Sequence, residues 1–215
     1  LFGPWNHNVV DNPNVNFIAN DGRNHVLLSP PASYDVIVSE PSNPWITGVS
    51  NLFTKDFLEM GKTRLKPGGV WSQWIQLYGM GKQDLQSLLA TFASVYPHIV
   101  VYSTIDDADL VLVGSESPLI PSDHAGDRML TRWPRVGEEL LDIDIDEGID
   151  IVAMYLMGRD QLLELGAGIP LNTDDNMRIE YSAPGFLHRE TQDTNHDLLK
   201  RYRHLPAEAL DQDPM

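Results

Sequence analysis

Cysteine is absent from the 215 residues, which excludes disulfides and thiolate metal sites and leaves the redox compartment undetermined. Basic residues are scarce, with 15 Lys and Arg against 31 Asp and Glu and a formal net charge of -16. Phosphate recognition rests on clustered Lys and Arg, so nucleic acid is not expected as a partner. Long apolar runs are missing too. None approaches the roughly 18 to 20 residues of a membrane span, so these residues are expected to be soluble. The seven histidines show no i, i+4 pairing and no His-Glu-x-x-His spacing, and no metal is expected. The opening Leu1-Phe2-Gly3-Pro4-Trp5-Asn6-His7 lacks the basic-then-apolar order of a signal peptide and resembles a chain entered midway.

What is present suffices for one sizeable core, with 42% hydrophobic residues. The negative field has two readings that composition leaves open: a solubilising surface, or a lure for cationic small molecules near a cleft. Along the chain, residues 15–19 are a short strand candidate closed by the turn signal Asn20-Asp21-Gly22. Residues 23–28 suit a brief helix ended by Ser29-Pro30-Pro31. The β-branched run at 34–39 has the texture of a buried parallel strand, and a loop rich in Pro, Ser and Asn follows it to residue 51. A helix over 54–65 has Thr54 as its N-cap and a stop at Lys66-Pro67-Gly68-Gly69. A strand at 70–77 and an amphipathic helix at 83–96 come next, then an antiparallel hairpin of 98–103 and 110–114.

This alternation predicts an α/β fold, a Rossmann-like, mostly parallel sheet ending in that hairpin. Helices are expected over 123–141 and 148–165. The acidic run 142–147 between them is an edge strand or a solvated linker, and it is a poor fit to a calcium loop, having neither the mid-loop glycine nor the closing Glu in register. The expected division is a core at 1–118, a helical extension packed on it at 119–187 and a charged tail at 188–215 that frays.

Ligands of open α/β sheets bind outside the carboxyl ends of the strands. Asp21, Glu40 and the stretch from Gln73 to Tyr78 meet that rule. Asp21 is equally a turn former, and taken alone the turn reading is preferred. Glu40, ending an apolar strand, needs a hydrogen bond or a cation to offset desolvation. It suits a base beside a substrate amine as well as a cap on backbone amides. Trp45, Trp71, Trp74 and Tyr78 cluster near the same strand ends, for core packing or for stacking on a base or ammonium. The cluster Asn172-Thr173-Asp174-Asp175-Asn176 is foremost an ordered turn, with adjacent carboxylates as a possible cation seat.

Together these segments resemble the spermidine-synthase superfamily, nearest to its bacterial spermidine-synthase-like branch, often fused to membrane-spanning segments. Asn20-Asp21-Gly22-Arg23-Asn24 carries the resemblance, with the run from Tyr34 to Trp45, Asn51-Leu52-Phe53, Leu65-Lys66-Pro67-Gly68-Gly69, the run from Gln73 to Met80 and the run from Leu171 to Asn176, in that order. The resemblance spans about residues 9–184. It implies decarboxylated S-adenosylmethionine, or S-adenosylmethionine itself, as co-substrate, an amine acceptor, and no metal. It implies Glu40 as catalytic base, Asp21, Gly22 and Pro41 at the nucleoside, and Asn43, Gln73, Tyr78 and Asp174 at the acceptor.

Two residues depart from the family pattern. Glu40 stands in place of an aspartate, and Asn43 removes a second negative charge. The family's glycine-rich loop and ribose-binding strand would precede Leu1, so the fold is expected to lack its first strands and to expose a sheet edge open to a second copy. The implied location is cytoplasmic, alone or beside a membrane anchor. Transfer of an aminopropyl or related alkyl group is the first functional expectation. An inactive remnant serving as an assembly module, or a methyltransferase, are the alternatives.

Overall fold

The computed structural model describes residues 3, 6–104 and 107–203. After a short 3-10 turn at Val9–Asp11, the elements are α1 (Gly22–Leu28), β1 (Tyr34–Ser39), α2 (Lys55–Lys62), β2 (Leu65–Gln76), α3 (Lys82–Val95), β3 (His98–Ser103) and β4 (Asp109–Ser115). There follow α4 (Asp123–Arg132), α5 (Pro134–Leu141), α6 (Gly148–Ala153), β5 (Tyr155–Gly158), α7 (Arg159–Leu165), α8 (Arg178–Ser182) and α9 (Gln192–Lys200).

The five strands form one sheet in the order β1-β2-β4-β3-β5. The α/β class and the 98–115 hairpin are as expected. The balance of directions is not: β1 and β2 are parallel, and the other three pairings are antiparallel. Two local outcomes account for this. Residues 15–19 form no strand, and Phe17 and Ile18 there are 61% and 53% exposed. A strand needs a ladder partner for its backbone groups, and this segment has none among the described residues. Tyr155–Gly158, expected within a helix, instead pairs antiparallel with β3. Its Tyr155, Leu156 and Met157 are buried, and a wholly apolar run of this length suits a strand as well as a helix turn.

Other boundaries also shift. Pro134 breaks the expected 123–141 helix by starting α5, where its missing N–H costs nothing. Residues 142–147 form turns rather than an edge strand. In β2 the Pro67-Gly68-Gly69 stretch lies inside the strand as an irregularity of its pairing with β1, and Gly68 has φ 78°. The charged tail is docked through residue 203: Leu198 and Leu199 of α9 are buried, and Asn195 donates to the Leu77 and Met80 carbonyls at 2.8 and 2.9 Å.

One sheet face is covered. Trp71 and Ile75 of β2 pack there against Phe57 of α2 and Leu85, Leu89 and Phe92 of α3, with the Phe57 and Trp71 rings edge to face at 5.3 Å. The other face carries Val36 and Val38, 52% and 69% exposed, beside half-buried Val70, Ser72 and Trp74. β1 is the terminal strand on that side. Among the described residues, no helix is long and apolar enough to cross a membrane.

Candidate active site

Strand directions decide which chemistry meets. β1 and β2 are parallel, so their carboxyl ends share one rim of the sheet, and antiparallel β4 begins at that rim. The register gives the faces. Val36 pairs with Val70, Val38 with Ser72 and Ser39 with Gln73, so Glu40 falls level with Trp74. Across the next ladder Trp74 opposes Val111 and Gln76 opposes Asp109. Side chains alternate along a strand. Trp74, Gln76 and Asp109 therefore lie on one face at one rim, and Glu40, directly after β1, is near enough for its charge to act on Asp109.

Asp109 is the group that sequence reading missed, because it sat at the edge of a loop in the expected hairpin. Burial raises its pKa, the Trp74 indole hydrogen bond lowers it, and the negative charge of Glu40 raises it further. One Asp109 carboxylate oxygen is buried without a hydrogen-bond partner, and so are both amide atoms of Gln76, a residue with no exposed surface. The usable signal was strand direction: a hairpin following α3 must return its turn to the rim where β2 ends.

The loop after β1 is held from beneath. Gly48, at φ 83°, donates its N–H to Glu180 at 3.3 Å, and the Ser50 hydroxyl donates to the same carboxylate oxygen at 3.0 Å. Trp45 meets Tyr78 edge to face at 6.4 Å. Gly79, at φ 60°, lies so close under the Trp45 ring that a Cβ would be 2.8 Å from it. The Asn43 side-chain nitrogen is buried and unpartnered. Pro41 is half-buried beside Glu40, which is itself exposed.

The remaining expected site residues lie as follows. Gln73 is on the opposite, covered face: it is 2% exposed, accepts from the Trp71 indole at 3.2 Å and donates to the Trp74 carbonyl at 3.2 Å. Asp21 caps α1, its carboxylate accepting the Asn24 N–H at 2.8 Å, so the turn role is real. A Cβ on Gly22 would meet nothing.

Asp174 is engaged on both oxygens. Arg23 grips it bidentately, and the Thr54 hydroxyl donates to it at 2.7 Å. Thr54 caps α2 as expected, while Arg23 also donates to the Asn51 carbonyl at 2.6 Å. The Asn-Thr-Asp-Asp-Asn turn thus ties α1 to the start of α2. A cavity of about 600 Å³ opens along α4, lined by Ala125, Arg128, Met129 and Trp133, and touches none of these residues. Among the described residues, no three His, Asp or Glu side chains gather in a way that could hold a metal ion.

The fold is a mixed α/β sheet with acidic and aromatic side chains at the rim where β1 and β2 end. The comparisons specify it further. The spermine/spermidine synthase domain matches residues 2–106, so the first half of the chain is similar to that family. Polyamine aminopropyltransferase 2 of Pseudomonas aeruginosa is 29% identical over 100 residues, 46% of this chain and 28% of that protein. A probable spermidine synthase from Corynebacterium glutamicum shares the fold, with a TM-score of 0.50 and 20% identity over 75% of this chain and 55% of that one. The chain thus spans only about a quarter to a half of the length of these relatives.

Proposed function

We propose that this chain is the acceptor side of an aminopropyltransferase that takes decarboxylated S-adenosylmethionine as donor and a small amine as acceptor. The observation that carries the reading is the position of Glu40 at the carboxyl rim, directly after β1 and within the matched residues 2–106, beside Trp74 and Gln76 of β2 and Asp109 of β4. The amine nitrogen attacks the propyl carbon bonded to the sulfonium. The carbon–sulfur bond breaks toward sulfur, which leaves as neutral methylthioadenosine, and the proton released from nitrogen passes to the Glu40 carboxylate. The protein's work is orientation and proton acceptance. Asp21, Gly22 and Pro41 are proposed to flank the nucleoside, with Asn43 and Tyr78 at the acceptor. Gln73 and Asp174 would act only through the side chains they hold. The proposed location is cytoplasmic.

The test is to incubate the complete protein with decarboxylated S-adenosylmethionine, and separately with S-adenosylmethionine, against a panel of amines, and to detect products by mass spectrometry. An aminopropylated amine together with methylthioadenosine is expected from the first donor. Methylated amine from the second donor alone would establish the methyltransferase alternative. A non-catalytic assembly role is favoured by one observation, the solvent-exposed Val36 and Val38 on terminal strand β1, and no product from either donor would leave that reading in place.

A further inference from the structure

The cavity of about 600 Å³ along α4 touches none of the rim residues, and its lining lies outside the matched residues 2–106. Its wall is one stripe of α4. Ala125, Arg128, Met129 and Arg132 all line it, and their spacing of i, i+3, i+4 and i+7 puts them on one face of the helix. The neighbouring face is fixed to α6. Gly126 is buried so close to Gly148 that a Cβ on Gly126 would be 2.5 Å from the Gly148 Cα, and the Gly148 N–H donates to Asp127 at 2.6 Å. Trp133 completes the lining at the junction of α4 and α5, its backbone restricted by the Pro134 that follows and its side chain 51% exposed. The charge here runs against the rest of the chain. Acidic residues outnumber basic ones 31 to 15, yet neither Arg128 nor Arg132 has an ion-pair or hydrogen-bond partner among the described residues. Arg132 lies instead over the Trp133 ring at 5.1 Å. Like charges four residues apart on a helix repel, and an anion between them is attracted by both.

We propose that this cavity binds a planar aromatic oxyanion, a ring bearing a carboxylate or phosphate, with the ring against Trp133 and Met129 and the charge between Arg128 and Arg132. The volume is that of a small-molecule site. The guanidinium fork matches either oxyanion, and the exposed indole and the thioether supply apolar contact. Both halves of the ligand are needed. A bare anion gains nothing from Trp133 and approaches a protein whose net charge of -16 repels it. An uncharged ring leaves the two arginines facing each other as before.

The test titrates this chain in a calorimeter with 2-naphthoate and with 2-naphthyl phosphate. Two controls accompany them: 2-naphthamide, which has the ring without the charge, and acetate, which has the charge without the ring. Salt of about 0.15 M screens long-range charge effects. The expected result is saturable one-to-one binding of a naphthyl oxyanion, at least about tenfold tighter than either control, and the tighter of the two identifies the head group. Arg128→Gln, Arg132→Gln and Trp133→Leu should each weaken it about fivefold or more. All three side chains are exposed, and melting curves matched to wild type establish that the variants are folded. Arg135→Gln should leave binding unchanged, because Arg135 lies in α5 outside the lining, 3.4 Å from the His7 ring. Saturable binding of neither oxyanion, equal binding of 2-naphthamide, or a loss from Arg135→Gln as large as that from Arg132→Gln overturns the proposal. No donor or amine is present, so failure of the transferase reading does not move this result.

Discussion

Asn172→Ala is the substitution whose cost follows most directly from the fold. Asn172 is fully buried. Its amide nitrogen donates to the Phe53 carbonyl at 3.2 Å and, weakly, to the Ser50 carbonyl at 3.5 Å; its carbonyl oxygen accepts the Ile179 N–H at 3.3 Å. The side chain therefore joins the entry of α2 to the first turn of α8. Alanine would strand the Phe53 carbonyl and the Ile179 N–H in the interior. At about 1–3 kcal/mol for each orphaned group, and counting the 3.5 Å contact as negligible, the loss is about 3 kcal/mol. For a chain of this size that lowers the melting temperature by roughly 6–12 °C. Circular dichroism melts, with urea midpoints as a second measure, would read the effect. Asp175→Asn in the same turn, at an exposed position, is the control and should leave the melt unchanged. An Asn172→Ala protein melting within about 2 °C of wild type would refute the assignment of this turn as a structural lock.

Gly61→Ala should destabilise although it replaces glycine inside helix α2. The propensity gain is at most about 1 kcal/mol, but the new Cβ would sit 2.1 Å from the buried Trp71 ring, and overpacking of that kind costs about 1–3 kcal/mol. A melt at or above the wild-type temperature would show that Trp71 yields. Asp84 should by itself add stability as the pH is lowered toward the ordinary carboxylate range. Burial raises the Asp84 pKa, a Ser182 hydrogen bond and the Arg178 charge lower it in part, and the net direction is up. The native state therefore holds a proton that the unfolded chain has released, and stability falls as pH rises from the ordinary value through the raised one. Asp84→Asn should flatten that slope in urea titrations at a series of pH values. Equal slopes in variant and wild type would exclude Asp84 as the source.

The order of strands and helices up to Ser115 was legible because each element carries local punctuation: Thr54 as a cap, Ser29-Pro30-Pro31 as a stop, β-branched residues at 34–39. Strand direction was less so. Nothing local in Tyr155–Gly158 says that it will find the edge of β3, and nothing in residues 15–19 says that they will lack a partner. Both outcomes are settled by distant pairing. The same holds for the rim. Glu40 announces itself by ending an apolar strand. Asp109 and Gln76 become neighbours only through an antiparallel register 33 positions apart in the chain. Gln73 was misplaced by a single step of alternation, which turns a rim candidate into a core residue bonded to Trp71. Asp174 was legible as part of an ordered turn, but its partner Arg23 is remote in sequence, and the pairing appears only in three dimensions.

The account turns on the Glu40 carboxylate receiving a proton from an amine held at this rim. Turnover of the complete protein carrying Glu40→Gln, measured as methylthioadenosine release with saturating donor and amine, tests that directly. Removing a general base is worth about a hundredfold or more in kcat. Wild-type turnover in the Glu40→Gln protein would contradict the account.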